Sequence, residues 1–319
     1  MTDEPIDDLT DLPGVGKLTA EKLKESGYGD FMTIAVATPK ELAELGGLTE
    51  EGAAKIIHAA MGLADVGEFL TTAELKEKRK NLMYLSTGSK QLDGLFGGKG
   101  LETGSITEFY GEFGTGKTQI ALQLAVNATR PVEDGGLGGH VLIIDTENTF
   151  RPKRIEEMAT ALGLDVDETF AKIHVARAFN SAHQIILLKK KANELAKTIP
   201  IKLVIVDSLT AHFRSEFLGR GNLGPRQGLL NNHMHDLLRF ADINNAVAVV
   251  TNQVLTNVGQ MFGDATKPVG GNIVGHTSTY RLYLRKGKAG KKVARMIDSP
   301  ENPDEEAIYT LGQEGIRDG

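Results

Sequence analysis

The sequence predicts an α/β fold: a phosphate-loop core with a mixed, largely parallel sheet, preceded by a small all-helical unit. Three observations carry this. The run Gly111-Glu112-Phe113-Gly114-Thr115-Gly116-Lys117-Thr118 matches the phosphate-binding pattern G-x-x-x-x-G-K-[ST] in full. From about residue 81 onward, apolar runs of strand length alternate with segments of helical periodicity. Ahead of them, two glycine turns each lead into a helical pattern.

Residues 1–62 read as the helical N-terminal domain. Leu12 to Lys17 is a tight apolar turn before a helix at Leu18 to Glu25, and Leu45 to Leu48 is a related turn before a helix at Thr49 to Ala60. Helix, glycine hairpin and helix, twice over, suggest a doubled helix-hairpin-helix module. Gly14 and Gly16 let the backbone turn and, with Lys17, expose donors to a neighbouring DNA phosphate. Packing between helices is the plainer use of such a hairpin. Residues 63–80 are a linker that becomes a charged helix, and 81–319 form the phosphate-loop core, expected to be an ATPase core.

Within the core, Ser105 to Tyr110 is a strand rich in β-branched and aromatic residues, and Lys117 to Ala128 has helical spacing. That order aims backbone N–H groups and a helix N-terminus at bound phosphate. His140 to Asp145 and Ile201 to Asp207 are continuous apolar runs, as buried parallel strands require. Helices are expected at Arg151 to Leu162, Ala182 to Lys197 and Arg226 to Ile243, and strands at Lys172 to Val175, Ala246 to Thr251, Tyr280 to Arg285, Val293 to Asp298 and Ala307 to Leu311. No G-x-G-x-x-G follows a strand with an acidic residue downstream, so the core is not of the dinucleotide-binding kind.

Composition sets outer limits. The chain has 319 residues, enough for one large and one small domain, and 40% hydrophobic residues supply a sizeable core. The absence of cysteine excludes disulfides and thiolate metal sites. No apolar run is long enough to span a bilayer, and the acidic start MTDEPIDDLT lacks the features of a secretory signal, so a cytoplasmic protein is expected. The net charge of −6 conceals a dense basic segment from Arg285 to Arg295 and a sparser one at Arg214, Arg220 and Arg226.

Several residues have the right type and place for triphosphate chemistry. Lys117 suits the β- and γ-phosphates, and the Thr118 hydroxyl suits Mg²⁺. Asp207 ends a buried strand, the position of a Mg²⁺-organising carboxylate, although a solvated strand-end aspartate is the bland alternative. Glu147 follows another strand and suits orientation of the attacking water, with Asp145 as competitor. Asn252 and Gln253 open a glycine-rich segment, Val254 to His276, of little apolar periodicity. Phe213 to Gly228 is a second such loop, where arginines recur every six residues, a pattern suited to a nucleic-acid backbone. Arginines on loops are otherwise simply solvated.

The chain resembles the archaeal RadA recombinases, relatives of bacterial RecA and the eukaryotic strand-exchange recombinases. The likeness runs through LPGVGKLTAEKL, YLSTGSKQLDGLFGG, TEFYGEFGTGKTQIALQLAV, IDTENTFRPKRI, VIVDSLTAHFRSEF, GPRQGLL, TNQV and GGNIVGH. It implies a RecA-like core that uses ATP and Mg²⁺, polymerises as a filament or ring, binds single-stranded DNA and pairs it with homologous duplex. By position it implies that Gly111 to Thr118 and Lys117 hold phosphate, Asp207 organises Mg²⁺, Glu147 activates water and Gln253 senses the γ-phosphate. His276 would approach that phosphate from the far end of the second loop, and Arg154 would pack against adenine. Asp298 and Pro300 would cap ATP held by the adjoining subunit, with a monovalent cation such as K⁺ near Asp298. Arg214, Arg220 and Arg226 correspond to the first DNA loop, and Gly270, Gly271 and Asn272 fall in the second.

Two departures stand out. Phe69 matches the aromatic anchor of the family's polymerisation motif, but Thr72 takes the small-residue position and Ala73 comes one place late. Asn148 stands where relatives commonly carry glycine. Other readings are a regulatory paralogue with little pairing activity and a ring helicase on the same core; a small-molecule kinase fits least. Recombination mediators are expected partners, and no membrane is.

Overall fold

The computed structural model describes residues 8–26, 28–64, 69–217, 219–256 and 266–319. The chain divides into two compact units, Met1–Lys80 and Asn81–Gly319.

In the first unit, α1 (Lys17–Glu25), α2 (Phe31–Ala35), α3 (Pro39–Gly46) and α4 (Glu50–Leu63) enclose a core that includes Leu9, Leu23, Ile34, Leu42 and Ile56. Capping explains the boundaries. Asp30, Thr38 and Thr49 each accept a backbone N–H in the first turn that follows. Gly14 turns at φ +81° ahead of α1, and Gly47 ends α3 in the left-handed region at φ +65°. Both glycine hairpins are therefore real turns between helices. α5 (Thr72–Lys78) starts in a capping box between Thr71 and Glu74 and buries no residue.

The second unit holds β1 (Tyr84–Leu85), α6 (Lys90–Gly94), β2 (Leu101–Glu102), β3 (Ser105–Gly111), α7 (Lys117–Ala128), β4 (His140–Asp145), α8 (Pro152–Ala161), α9 (Val166–Lys172), β5 (Ile173–Arg177), α10 (Ser181–Ile186) and α11 (Asn193–Ala196). These are followed by β6 (Ile201–Asp207), α12 (Ala211–Glu216), α13 (Leu223–Ile243), β7 (Val247–Asn252), β8 (Val254–Thr256), β9 (Thr266–Pro268), α14 (Asn272–Thr277), β10 (Tyr280–Lys286), β11 (Lys292–Asp298), β12 (Glu306–Gly312) and β13 (Gly315–Asp318). Among the described residues the main sheet has nine strands in the order β13-β12-β11-β10-β3-β7-β6-β4-β5. From β10 to β5 every neighbouring pair is parallel, and β10 to β13 run antiparallel.

Apolar runs become central strands because both faces are covered. In β4, Val141 and Ile143 pack with the α7 and α8 side while Leu142 and Ile144 pack with the α13 side. β6 and β7 divide their residues in the same way. Since the central strands are parallel, their carboxyl ends share one edge, and Gly111, Asp145, Asp207 and Asn252 all arrive there.

Three expected elements differ. The helix expected at Ala182 to Lys197 is interrupted by a wider π turn at Leu187–Ala192, where the Asn193 amide donates to Lys189 O at 2.9 Å. α13 begins at Leu223, ahead of the expected Arg226, because Pro225 lies in the first turn, where a missing N–H costs nothing. The glycine-rich segment after Gln253 is also more ordered than expected: β8 pairs with β9, and α14 follows at Asn272. Residues 257–265 of that segment lie outside the described residues.

Candidate active site

The phosphate loop links β3 to α7 and is braced from below. A Cβ at Gly111 would land on Leu284 O of β10, so glycine is what allows these backbones to approach. Gly116, the residue before α7, sits at φ +104°. Thr115 Oγ1 donates to Glu112 O at 2.8 Å, Tyr309 Oη donates to Thr115 O at 3.2 Å, and Lys292 Nζ donates to Gly114 O at 3.0 Å. Glu112 and Phe113 are exposed. The sequence marks Lys292 only as part of a basic segment and gives Tyr309 no role; their strands lie far downstream of the loop.

Lys117 Nζ donates to Gly111 O and Glu112 O, each at 2.9 Å. Desolvation lowers its pKa, opposed by the charges of Asp207 and Glu147. Burial raises the pKa of Asp207, while hydrogen bonds from the Thr251 and Thr118 hydroxyls hold it down. Thr118 and Asp207 thus meet as a hydroxyl and a carboxylate beside the loop. Hard oxygen donors of this kind fit Mg²⁺.

Glu147 stands on the turn after β4. Gln253 Nε2, from the end of β7, donates to Glu147 Oε1 at 3.0 Å. Partial desolvation raises the Glu147 pKa, the Asp207 charge adds to this, and Gln253 and Lys117 pull it down. Asp145, its competitor, is committed elsewhere. Its carboxylate accepts the backbone N–H groups of Glu147, Thr149 and Phe150 at 3.1, 3.2 and 2.9 Å. Asn148, within that turn, adopts φ +57°, a left-handed conformation that asparagine tolerates better than most side chains.

The remaining site candidates spread outward. The Arg154 guanidinium bonds Gln119, Glu157, Gly312 O and Gln313 O, tying α8 to the β12–β13 turn. Asp298 and Pro300 are exposed. The register sets Asp298 opposite Arg281, and Arg281 opposite Glu108, so Asp298 lies about 10 Å along the strand direction from Gly111. It also lies two strands to the side. His276 is exposed on α14, and shortly after it Thr279 N bonds Ile106 O near the start of β3. Their own phosphate loop is at the other end of that strand.

For the two loops, Arg214 lies on α12 and Arg226 lies on α13, not in an irregular loop, while Arg220 falls in a short 3₁₀ turn, Arg220–Asn222. Gly270 and Gly271 turn at φ +93° and +60° and lead into α14 at Asn272. Gly16 is the N-cap of α1, and Lys17 is its first residue. Phe69 is fully exposed, and Thr72 opens α5.

The edge strand β5 borders a pocket of about 120 Å³ lined by Leu142, Ile144, Ala176, Leu187, Ala192 and Leu195 among others. The π turn supplies part of its wall. Among the described residues no helix is long and apolar enough to cross a membrane.

Comparison with known proteins agrees along the chain. The Rad51 family model matches residues 78–319, and the SAM-like helix-hairpin-helix tandem matches residues 6–61. A protein of Methanoculleus marisnigri called DNA repair and recombination protein RadA is 53% identical over 320 residues, covering 97% of this chain and 98% of that one. A protein of the same name from Methanocorpusculum labreanum is 54% identical over 324 residues, with 97% and 98% covered.

Proposed function

The chain belongs to the Rad51 family, in its archaeal RadA branch, and from that premise we infer that its phosphate loop is half of an ATP site completed by a neighbouring subunit. It is a DNA-dependent ATPase of recombination and repair that exchanges strands between single-stranded DNA and homologous duplex.

The observation that carries the site assignment is the Gln253–Glu147 hydrogen bond beside Lys117, Thr118 and Asp207. Asp145 is occupied with backbone, which leaves Glu147 to orient the hydrolytic water. Lys117 and the loop N–H groups hold phosphate, and Thr118 with Asp207 would hold Mg²⁺. Mg²⁺ held by Thr118 and Asp207 would supply positive charge against the negative charge that develops on the phosphate during hydrolysis. Gln253, already touching the catalytic carboxylate, reports whether the γ-phosphate is present. Arg154 supports the adenine side of the site.

Asp298 is exposed and set away from its own loop, as a group that caps a neighbour's ATP needs to be, with Pro300 exposed beside it. The exposed His276 approaches the γ-phosphate from the far end of the second loop. K⁺ is the monovalent cation proposed near Asp298. Residues 63–80 act as a tether whose Phe69 enters the β5-edge pocket of the next subunit, with Thr72 beside it. Copies joined this way form a filament or close into a ring, and the same pocket offers mediators a foothold. Arg214, Arg220, Arg226 and the segment around Gly270, Gly271 and Asn272 contact DNA in the core, and Gly14, Gly16 and Lys17 contact it in the helical unit. The place of work is the cytoplasm.

The test is joint-molecule formation from single-stranded DNA and homologous duplex under ATP and Mg²⁺, with Lys117→Ala as control. A folded wild-type protein that forms filaments but no joint molecules would sink the strand-exchange assignment. Unwinding of duplex without any requirement for homology would favour a ring helicase.

A further inference from the structure

Asn252 is completely buried at the end of β7, and its side-chain amide can donate twice and accept twice. All four capacities are used. Its Nδ2 donates to Glu108 Oε1 at 2.8 Å and to Val269 O at 2.6 Å. Its Oδ1 accepts the Thr210 hydroxyl at 2.8 Å and the Gln253 N–H at 2.9 Å. Reversing the amide would set oxygen against oxygen at Glu108 and Val269, so only one orientation satisfies the site.

These four partners lead to different working parts. Thr210 is the N-cap residue of α12, where the first arginine-bearing loop begins. Val269 closes the second loop, and its N–H returns to Gln253 O at 2.9 Å. Gln253 touches Glu147. Glu108, in the middle of β3, has no exposed surface, and its other oxygen accepts Arg281 Nε at 2.8 Å. The Arg281 guanidinium lies against Gly275, where a Cβ would fall 2.9 Å from Nη1, so it also supports the helix that carries His276.

We propose that Glu108 and Asn252 are positioning residues that couple the ATP-sensing pair Gln253–Glu147 to both DNA loops. This rests on the reading of those loops as the DNA surface. A fully satisfied buried polar network moves as a unit or breaks. Displacement of Gln253 by a bound phosphate is therefore passed to Thr210 and Val269, and a shift of Thr210 or Val269 on DNA binding is passed back to Glu147. Neither Glu108 nor Asn252 touches phosphate or DNA in this scheme.

The experiment compares wild type, Glu108→Gln and Thr210→Val. Glu108→Gln presents an amide where Arg281 and Asn252 both need an acceptor. Thr210→Val keeps shape and removes only the link to the first loop. ATP turnover is measured with and without poly(dT) single strands, and DNA affinity with and without ATP, with thermal melting to confirm folding. In both variants basal turnover and the KM for ATP stay near wild type. Stimulation by DNA and the tightening of DNA binding by ATP each fall about fivefold or more, the scale of an ordinary coupling between sites. A folded Thr210→Val that keeps full stimulation and full tightening overturns the coupling, whatever Glu108→Gln does. A wild type that is not stimulated and does not bind poly(dT) overturns the loop reading itself, and the coupling with it.

Discussion

Gln253 reaches 3.0 Å across the mouth of the site to Glu147, joining the end of β7 to the turn after β4. One is the proposed sensor and the other the proposed base, so each sets the other's working state.

The first consequence concerns pH. Glu147 must be ionised to act as a base, and its pKa lies above the ordinary glutamate value through desolvation and the Asp207 charge. Turnover should fall as pH drops through that raised value. Gln253 donates to the ionised form, so Gln253→Ala raises the pKa further and moves the acid limb of kcat to higher pH. A limb that stays in place or moves down in the variant contradicts this.

Lys117→Ala should leave the fold intact, since the side chain bonds only loop carbonyls, and should cost nucleotide affinity. A hydrogen bond to a charged group contributes about 1.5–3 kcal/mol, so binding weakens by roughly 10- to 150-fold. Titration calorimetry with ATP and Mg²⁺ reads this directly; an affinity within a factor of two of wild type would remove Lys117 from the phosphate site.

Phe69→Ala should weaken self-assembly. Burial of a phenylalanine side chain is worth about 1.5–3 kcal/mol, which sets the loss at roughly 10- to 150-fold per contact. Leu195→Glu, in the wall of the pocket, should have a like effect, and the two together should add little more. Sedimentation across a concentration series decides; independent, additive losses would separate Phe69 from this pocket.

Burial pushes the His233 pKa down to about 3, and its Nδ1 has no hydrogen-bond partner. The unfolded chain takes up this proton near pH 6.5 and the folded chain does not. Stability is therefore lost as pH falls from about 6.5 toward 3, by up to about 1.4 kcal/mol per pH unit from this one group. Denaturant melts at stepped pH should show a shallower acid slope in His233→Phe than in wild type, whatever its absolute stability.

What the sequence revealed, and what it hid, follows from the range of each interaction. The phosphate loop, β4 and β6 were legible because glycine spacing and unbroken apolar runs are local signals. Asn252 stood out only as an amide at the head of a glycine-rich segment, and Glu108 gave no signal at all. Glu108 looks like any polar residue on a strand, and its pairing with Asn252 joins positions 144 apart along the chain. The early start of α13 was obscured by Gly224, Pro225 and Gly228, which read as loop residues until Pro225 is seen in a first turn. The π turn at Leu187–Ala192 has the sequence periodicity of a plain helix, and its wider i→i+5 backbone pairing is visible only in the structure.

In the proposed assembly the pocket beside β5 and the exposed Phe69 are different surfaces of one chain, so the contact between copies would be head to tail and an open array would have unlike ends. One terminal subunit would then present an empty pocket, and the other a free phenylalanine. Growth at the two ends can then be stopped separately: a short aromatic peptide seated in the pocket blocks one end only, and a receptor for Phe69 blocks the other. An assembly joined in this way would have a direction along the DNA before any nucleotide is hydrolysed.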